Sequence, residues 1–296
     1  MREINLSKDR EIVNCDLCGS NNFKLWDKKE PRIVKCNSCD LVYQNDRPVY
    51  KVLENFYGLS YVKNRKIEEN GKRYRDRLKM YDIEINDIIK ELTKRYKNFQ
   101  NKNLSFLDVG AGDGGFLQAL PNYFEKFGVE FNKEVISLTK QHAKKVWCGD
   151  FCNGLDFGDK KFDIIHIRGT IEHLPSPHKF FKRSWNLLSE NGMLIISTIP
   201  NVNSITAKVY KRRWRLNLMD EHIYHFSKKT INKYLIKYNF KMTFCNYPYF
   251  KTPYVSFLKD NFNFFKNYFQ KNKKSPSYIG SVMNIIAMKK ESNEEV

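Results

Sequence analysis

From Leu104 to Thr198, short apolar runs alternate with stretches whose apolar residues recur at helical spacing. The runs Leu104–Val109, Lys126–Glu130, Lys145–Cys148, Phe162–Ile167 and Met193–Thr198 predict five strands, and their alternation with helices predicts a parallel sheet covered on both faces. Lys241–Tyr249 and Gly280–Met288 predict two more strands. Upstream, Tyr81–Tyr96 sets Ile85, Ile88, Ile89 and Leu92 on one helical face. Short β-like runs at Phe23–Trp26 and Arg32–Lys35 lie within residues 12–46, and no segment repeats. The expected organisation is a small module over 1–48, a helical connector or lid over 49–100, and an α/β domain over 101–296.

Cysteine usage adds a metal site to the first module. Cys15-Asp-Leu-Cys18-Gly19 and Cys36-Asn-Ser-Cys39 are two C-x2-C units separated by 17 residues. This spacing lets four thiolates converge on one Zn²⁺ in a zinc-ribbon-like knuckle, with Gly19 easing the turn. Four sulfur ligands leave no position for water, so the zinc is expected to be structural. Cys148, Cys152 and Cys245 read as ordinary thiols.

The run Phe106-Leu107-Asp108-Val109-Gly110-Ala111-Gly112-Asp113-Gly114-Gly115-Phe116 is a strand, a glycine-rich turn and the start of a helix. Gly110, Gly112 and Gly115 satisfy G-x-G-x-x-G, the dinucleotide fingerprint. Asp108, however, would face a pyrophosphate badly and suits a cationic ligand. Glu130, ending the next strand 20 residues after Gly110, is placed to accept from ribose hydroxyls, and Phe131 follows it. After the third strand, Asp150 is placed to accept from an adenine amino group, with Phe151 packing on the base. Asp113 either touches the ligand or caps the following helix.

With the signature Phe162-Asp-Ile-Ile-His-Ile-Arg168-Gly-Thr-Ile-Glu172-His173-Leu174 and the strand-five run Leu187–Ile196, these motifs resemble the class I methyltransferases over about Leu104 to Met288. The resemblance implies a Rossmann-like, doubly wound seven-stranded sheet with an antiparallel last strand. It also implies an enzyme using S-adenosylmethionine, with Arg168 joining Asp108, Gly110, Gly112, Asp113, Glu130, Phe131, Asp150 and Phe151 at the cofactor. A nicotinamide-dependent dehydrogenase is the weaker alternative.

The acceptor side rests on Asp220-Glu221-His222-Ile223-Tyr224-His225-Phe226-Ser227, where Ser227 is expected to cap a helix. The run resembles zinc-knuckle methyltransferases encoded beside glycan-assembly enzymes, which carry His-x-x-x-Phe-Ser. It also resembles sugar-nucleotide C-methyltransferases, which carry Glu-His before Phe-Ser. Carried over, His222 is the candidate base and Glu221 its orienting group; a packing role for the histidine stays open. Glu172-His173 resembles the Glu-His of quinone-biosynthesis O-methyltransferases, which hold a divalent metal with an acid three residues earlier. Gly169 stands there in this chain, which argues against a catalytic metal and leaves Glu172 and His173 to shape the cofactor pocket or touch the acceptor. Residues Leu41–Pro48 and the order of knuckle, helices and catalytic domain also resemble the glycan-cluster enzymes. The chain is short for the extra C-terminal domain of the C-methyltransferases, which favours an oxygen nucleophile, with sugar-nucleotide C-methylation kept as the alternative. A small-molecule, glycan or lipid-linked glycan acceptor is the expectation.

Charge keeps other partners in view. The net charge is +19, and residues 201–274 hold 16 Lys or Arg against 3 acids. A bias toward Lys, Asn, Ile and Tyr explains much of this, but a basic field also draws nucleic acid or anionic lipid. An RNA methyltransferase is therefore an alternative, although the Asn/Asp-Pro-Pro-Tyr type of motif is lacking. A catalytically silent binding module is a third, opposed by the intact acid and glycine set. Tyr254–Lys274 places Tyr254, Phe257, Leu258, Phe262, Phe265, Tyr268 and Phe269 at helical spacing among lysines. Such a segment fits a membrane surface, a helix packed on the domain or in a dimer, or single-stranded RNA. The charged Met1–Glu11 reads as no secretory leader, and no apolar run is long enough to span a bilayer. The expected location is cytoplasmic, with peripheral contact at the inner membrane face through 254–274.

Overall fold

The computed structural model describes residues 9–27, 31–57, 71–217 and 221–290. Most of Met1–Glu11, part of the connector and Asp220 lie outside these.

The knuckle contributes three strands to one sheet, β1 (Phe23–Asp27), β2 (Ile33–Cys36) and β3 (Val42–Gln44), beside a short ladder of Arg10–Glu11 with Arg47–Pro48. Helix α1 (Tyr50–Asn55) and the long α2 (Lys72–Arg95) follow. The α/β domain then runs β4 (Ser105–Val109), α3 (Gly115–Ala119), β5 (Glu125–Glu130), α4 (Ile136–Thr139), β6 (Lys145–Cys148), β7 (Phe162–Arg168), α5 (Pro177–Leu187), β8 (Leu188–Pro200) and α6 (Ile205–Tyr210). It ends with β9 (Tyr224–His225), α7 (Lys228–Lys237), β10 (Phe240–Asn246), α8 (Phe257–Phe269) and β11 (Val282–Lys289).

Seven strands form the main sheet in the order β10-β11-β8-β7-β4-β5-β6. The pairs β4/β5, β4/β7, β5/β6 and β7/β8 are parallel, whereas β11 runs antiparallel to both β8 and β10. This is the Rossmann-like sheet with an antiparallel last strand. Helices cover both faces, so the central strands are apolar without alternation: every residue of β4 is buried. Chain reversals follow local chemistry. Ser176 caps α5, whose first residue is Pro177, and Ser227 with Thr230 forms a capping box on α7.

The knuckle does not stand apart from the domain. β9 pairs antiparallel with β3, so a strand from the domain completes the knuckle's sheet in the order β9-β3-β2-β1. Lys229 pairs with Asp40 at 2.7 Å, while Lys233 and Lys237 of α7 donate to the carbonyls of Cys39 and Leu17. Asp16 accepts from Ser176, the His178 amide and Tyr234. One apolar cluster therefore runs from Cys15, Cys36, Leu41 and Tyr43 into Phe180, Phe181 and Tyr234.

Candidate active site

The C-terminal ends of β4, β5 and β6 carry the glycine turn and the acids. Gly110 has φ +76°, and a Cβ there would come within 2.9 Å of the Thr170 side chain, so only glycine fits. The amides of Gly110 and Ala111 both donate to Val129 O, which locks the turn onto β5. Glu130 closes it: Oε2 accepts from the Gly112 amide at 2.7 Å and Oε1 from the Asn132 amide at 2.8 Å. Burial pushes the Glu130 carboxyl above the usual carboxylate range, with nearby Asp108 adding to the shift, while the backbone amides pull it back.

Asp108 is buried beside its register partner His166 on β7, with 2.9 Å between Oδ1 and Nδ1. His166 Nε2 lies 2.8 Å from Ser197 Oγ on β8. A polar chain thus crosses three strands beneath the turn and fixes the Asp108 carboxylate. His166 and Ser197 were not among the expected site residues; the available signal was a histidine in the middle of an apolar strand.

Other expected cofactor residues are held by the connector. Asp113 accepts from the Gly115 amide at 3.0 Å and pairs with Arg77 of α2 at 2.7 Å, so it stabilises the turn and receives α2. Arg168 is held from α2 in the same way. Buried Glu84 of α2 takes its guanidinium in two bonds of 2.8 and 3.0 Å and also accepts from Thr198. Asp150 accepts from the Cys152 amide and Asn153, and from Tyr50 of α1 at 2.8 Å. Phe151 departs from expectation. It lies inside the core against Phe157 and Phe180, with no face open to a base. Phe131 stays half-buried at the rim.

Beside the turn, one loop and one distant segment meet. Thr170, against Gly110, leads into a 3-10 turn at Ile171–His173. The Ile223 amide donates to Glu172 O at 2.9 Å, drawing residues 221–223 alongside. Donor atoms of Glu172, His173 and His222, all buried, then lie within 4.8 Å of one another. His173 Nδ1 is 2.9 Å from both the Glu221 carbonyl and the Tyr57 hydroxyl, and that hydroxyl donates to the same carbonyl at 3.1 Å. The backbone carbonyl of Glu221 thus lies against His173. The expected catalytic trio of His222, Glu221 and His173 is contiguous, with Glu172 added. The third donor that Gly169 cannot supply comes from His222. Tyr57 joins the two halves of the cleft: its hydroxyl is 2.9 Å from His173 Nδ1, and its carbonyl accepts from Asn132 at 3.0 Å.

Comparison with known proteins decides what the cleft belongs to. The family model described as "Methyltransferase domain" matches residues 80–243, more than half of the chain. The chain belongs to the methyltransferase domain family. A ubiquinone biosynthesis O-methyltransferase of Glaesserella parasuis is 31% identical over 115 residues, which is 35% of this chain and 47% of that protein. Phosphoethanolamine N-methyltransferase 3 of Arabidopsis thaliana is 28% identical over 128 residues, 40% of this chain and 26% of that protein. The matched region is thus less than half of either relative. Among solved structures, magnesium protoporphyrin IX methyltransferase of Synechocystis with bound S-adenosylhomocysteine superposes with a TM-score of 0.54. It is 12% identical and covers 82% of this chain and all of its own. The plantazolicin methyltransferase BpumL superposes at 0.52 with 17% identity, covering 81% of this chain and 95% of its own. At these identities the likeness is one of fold.

The acids of the cleft share one end of the sheet. Asp108, Glu130 and Asp150 lie at or just beyond the ends of three successive strands, with the glycine turn between the first two. At the knuckle, the four cysteine sulfurs lie within 4.8 Å of one another, with Cys15–Cys39 at 3.4 Å and Cys18–Cys36 at 3.5 Å. A tetrahedron with metal–sulfur bonds of about 2.3 Å has edges of roughly 3.8 Å, so the set fits one thiolate-bound metal. The Cys15 hydrogen bond draws the Cys39 thiol down to about 5 and pushes that of Cys15 upward.

Among the described residues, no helix is long and apolar enough to cross a membrane.

Proposed function

We propose that this methyltransferase transfers the methyl group of S-adenosylmethionine to a hydroxyl of a sugar or glycan acceptor, with His222 as the base. The observation that carries the base assignment is the convergence of Glu172, His173 and His222 against the glycine turn through Thr170. S-adenosylmethionine, when bound, supplies an electrophilic methyl on a sulfonium. Asp108 would hold its cationic end, Glu130 the ribose and Asp150 the adenine. With that group bound, His222 would take the acceptor hydroxyl's proton as the acceptor oxygen displaced the sulfur at the methyl carbon. Glu172 stabilises the imidazolium, and His173, held by Glu221 O and Tyr57, keeps the loop in place. An oxygen nucleophile agrees with the ubiquinone biosynthesis O-methyltransferase similarity. The glycan class rests on the knuckle-first layout and the His-x-x-x-Phe-Ser run. Zn²⁺ held by Cys15, Cys18, Cys36 and Cys39 would be structural.

The test is methyl transfer from labelled S-adenosylmethionine to nucleotide sugars, lipid-linked glycans, quinols and short RNAs. Sugar labelling is expected, with His222→Ala lowering turnover about 10²–10⁴-fold while leaving S-adenosylhomocysteine binding intact. Labelling confined to quinol or RNA would overturn the acceptor class, and unchanged turnover would remove His222 as base. The same donor cluster favours one second reading. A divalent cation on Glu172, His173 and His222 would acidify the acceptor hydroxyl in place of a protein base. Loss of transfer on chelation, restored by Mg²⁺ or Mn²⁺ with the knuckle still zinc-loaded, would favour that reading over a metal-free base.

A further inference from the structure

Helix α8 is anchored on one side and bare on the other. Its inner side carries Asp260 and Phe264, both buried. Asp260 accepts from Tyr249 and from the Ser256 amide, while Phe264 packs against Tyr210 and Tyr278. Arg213 clamps the C-terminal end, donating to the carbonyls of Asn267, Tyr268 and Gln270. The helix is therefore fixed in orientation by groups on one edge.

The opposite side holds Leu258, Phe262, Phe265 and Phe269, spaced i, i+4, i+7 and i+11. At 3.6 residues per turn these fall within roughly 60° of arc. They are 83%, 65%, 64% and 79% exposed. Phe250, 62% exposed, adds to this surface beside Phe257. Lys259 and Lys266 flank the stripe, and Lys251, Lys271, Lys273 and Lys274 follow from its ends. Asp260 is the one acid between Phe250 and Lys274, and it points inward.

We infer that α8 seats the enzyme on an anionic lipid bilayer, its apolar stripe entering the acyl boundary and its lysines meeting the headgroups. An in-plane interfacial helix needs a narrow apolar stripe, a basic flank and few acids, and α8 has all three. Charge argues against a second copy of the chain as the occupant, because stripe-to-stripe contact would oppose two sets of lysines with no acid to meet them. Shape argues against RNA, because base stacking uses rings lining a groove, whereas this stripe is convex and its most exposed member is aliphatic Leu258. The inference is independent of which acceptor is methylated.

Flotation of the full-length, zinc-loaded protein with vesicles tests it. Phosphatidylglycerol-containing vesicles should carry the protein, pure phosphatidylcholine vesicles should carry it at least tenfold less, and high salt should weaken the anionic binding. Phe262→Ser combined with Phe265→Ser should lower partitioning at least tenfold with S-adenosylhomocysteine affinity unchanged, and Lys259→Glu with Lys266→Glu should abolish the lipid-charge preference. Absence of vesicle binding by the unaltered protein would overturn the inference. So would serine variants that bind vesicles as the unaltered protein does, self-association that the serine pair abolishes without vesicle binding, or capture by single-stranded RNA in preference to vesicles.

Discussion

At the scale of single residues, the cleft is built from acids whose positions are set by neighbours far away in sequence. The placement of Asp108 and Glu130 was legible because it is local: one stands near a strand's end two residues before a glycine turn, the other ends the next strand. What holds them was not legible. His166 reaches Asp108 across β4/β7, and Ser197 reaches His166 across β7/β8, contacts that exist only once register is fixed. Likewise nothing local tells that Glu84, on the exposed-looking face of a helical pattern, is buried against Arg168. Phe151 was misread because an aromatic after a strand-end acid packs equally well inward. His166→Ala would leave Asp108 buried without its ring partner and open a void beside Phe116, whose ring centroid is 4.3 Å from that of His166. Stability should fall by about 2–4 kcal/mol, and S-adenosylhomocysteine affinity should drop about tenfold as the carboxylate loses its orientation. Denaturant unfolding and calorimetric titration read the two effects. An unaltered affinity would mean that the chain beneath the turn serves packing alone.

At the scale of elements, the knuckle and the candidate base are one construction. Gln44 of β3 donates through Nε2 to His222 O at 3.1 Å and through its amide to Ile223 O at 2.8 Å. Tyr224 and His225 then continue as β9 alongside β3. The strand pattern and the two C-x2-C units were readable, but the sharing of a sheet between module and domain was not, because β9 is two residues long and carries no period. Helix α1 and Tyr57 show the same limit: the connector was readable as helical, but its contacts with Asp150 at one end of the cleft and His173 at the other follow from tertiary placement. The β3–β9 ladder predicts a split in kinetics. Gln44→Ala should lower kcat roughly tenfold, because a displacement near 1 Å at a reacting group costs that order or more, while S-adenosylhomocysteine affinity stays within twofold. Steady-state turnover and calorimetry on the same preparation measure both. Equal losses in the two would place Gln44 in general stability and not in positioning His222.

At the scale of the whole molecule, the shared core decides how zinc removal is felt. A knuckle on a free tether would unfold by itself and leave the methyltransferase domain intact. Here Cys15, Cys36 and Cys39 belong to the same apolar cluster as Phe180, Phe181 and Tyr234, and α7 is tied to the knuckle by Lys229, Lys233 and Lys237. His225, buried against Trp26, has its pKa pushed down to about 4 by burial, so its ring is neutral near pH 7. Metal on four thiolates contributes folding free energy directly. If even about 5 kcal/mol of it reaches the common core, a domain of this size should lose roughly 10–20 °C of Tm. Differential scanning calorimetry of zinc-loaded protein is expected to show one transition, shifted down as a unit by a chelator or by Cys39→Ser. A second, unshifted transition for the methyltransferase domain would show that the knuckle is energetically separate, and would return the positioning of His222 to the domain's own loops.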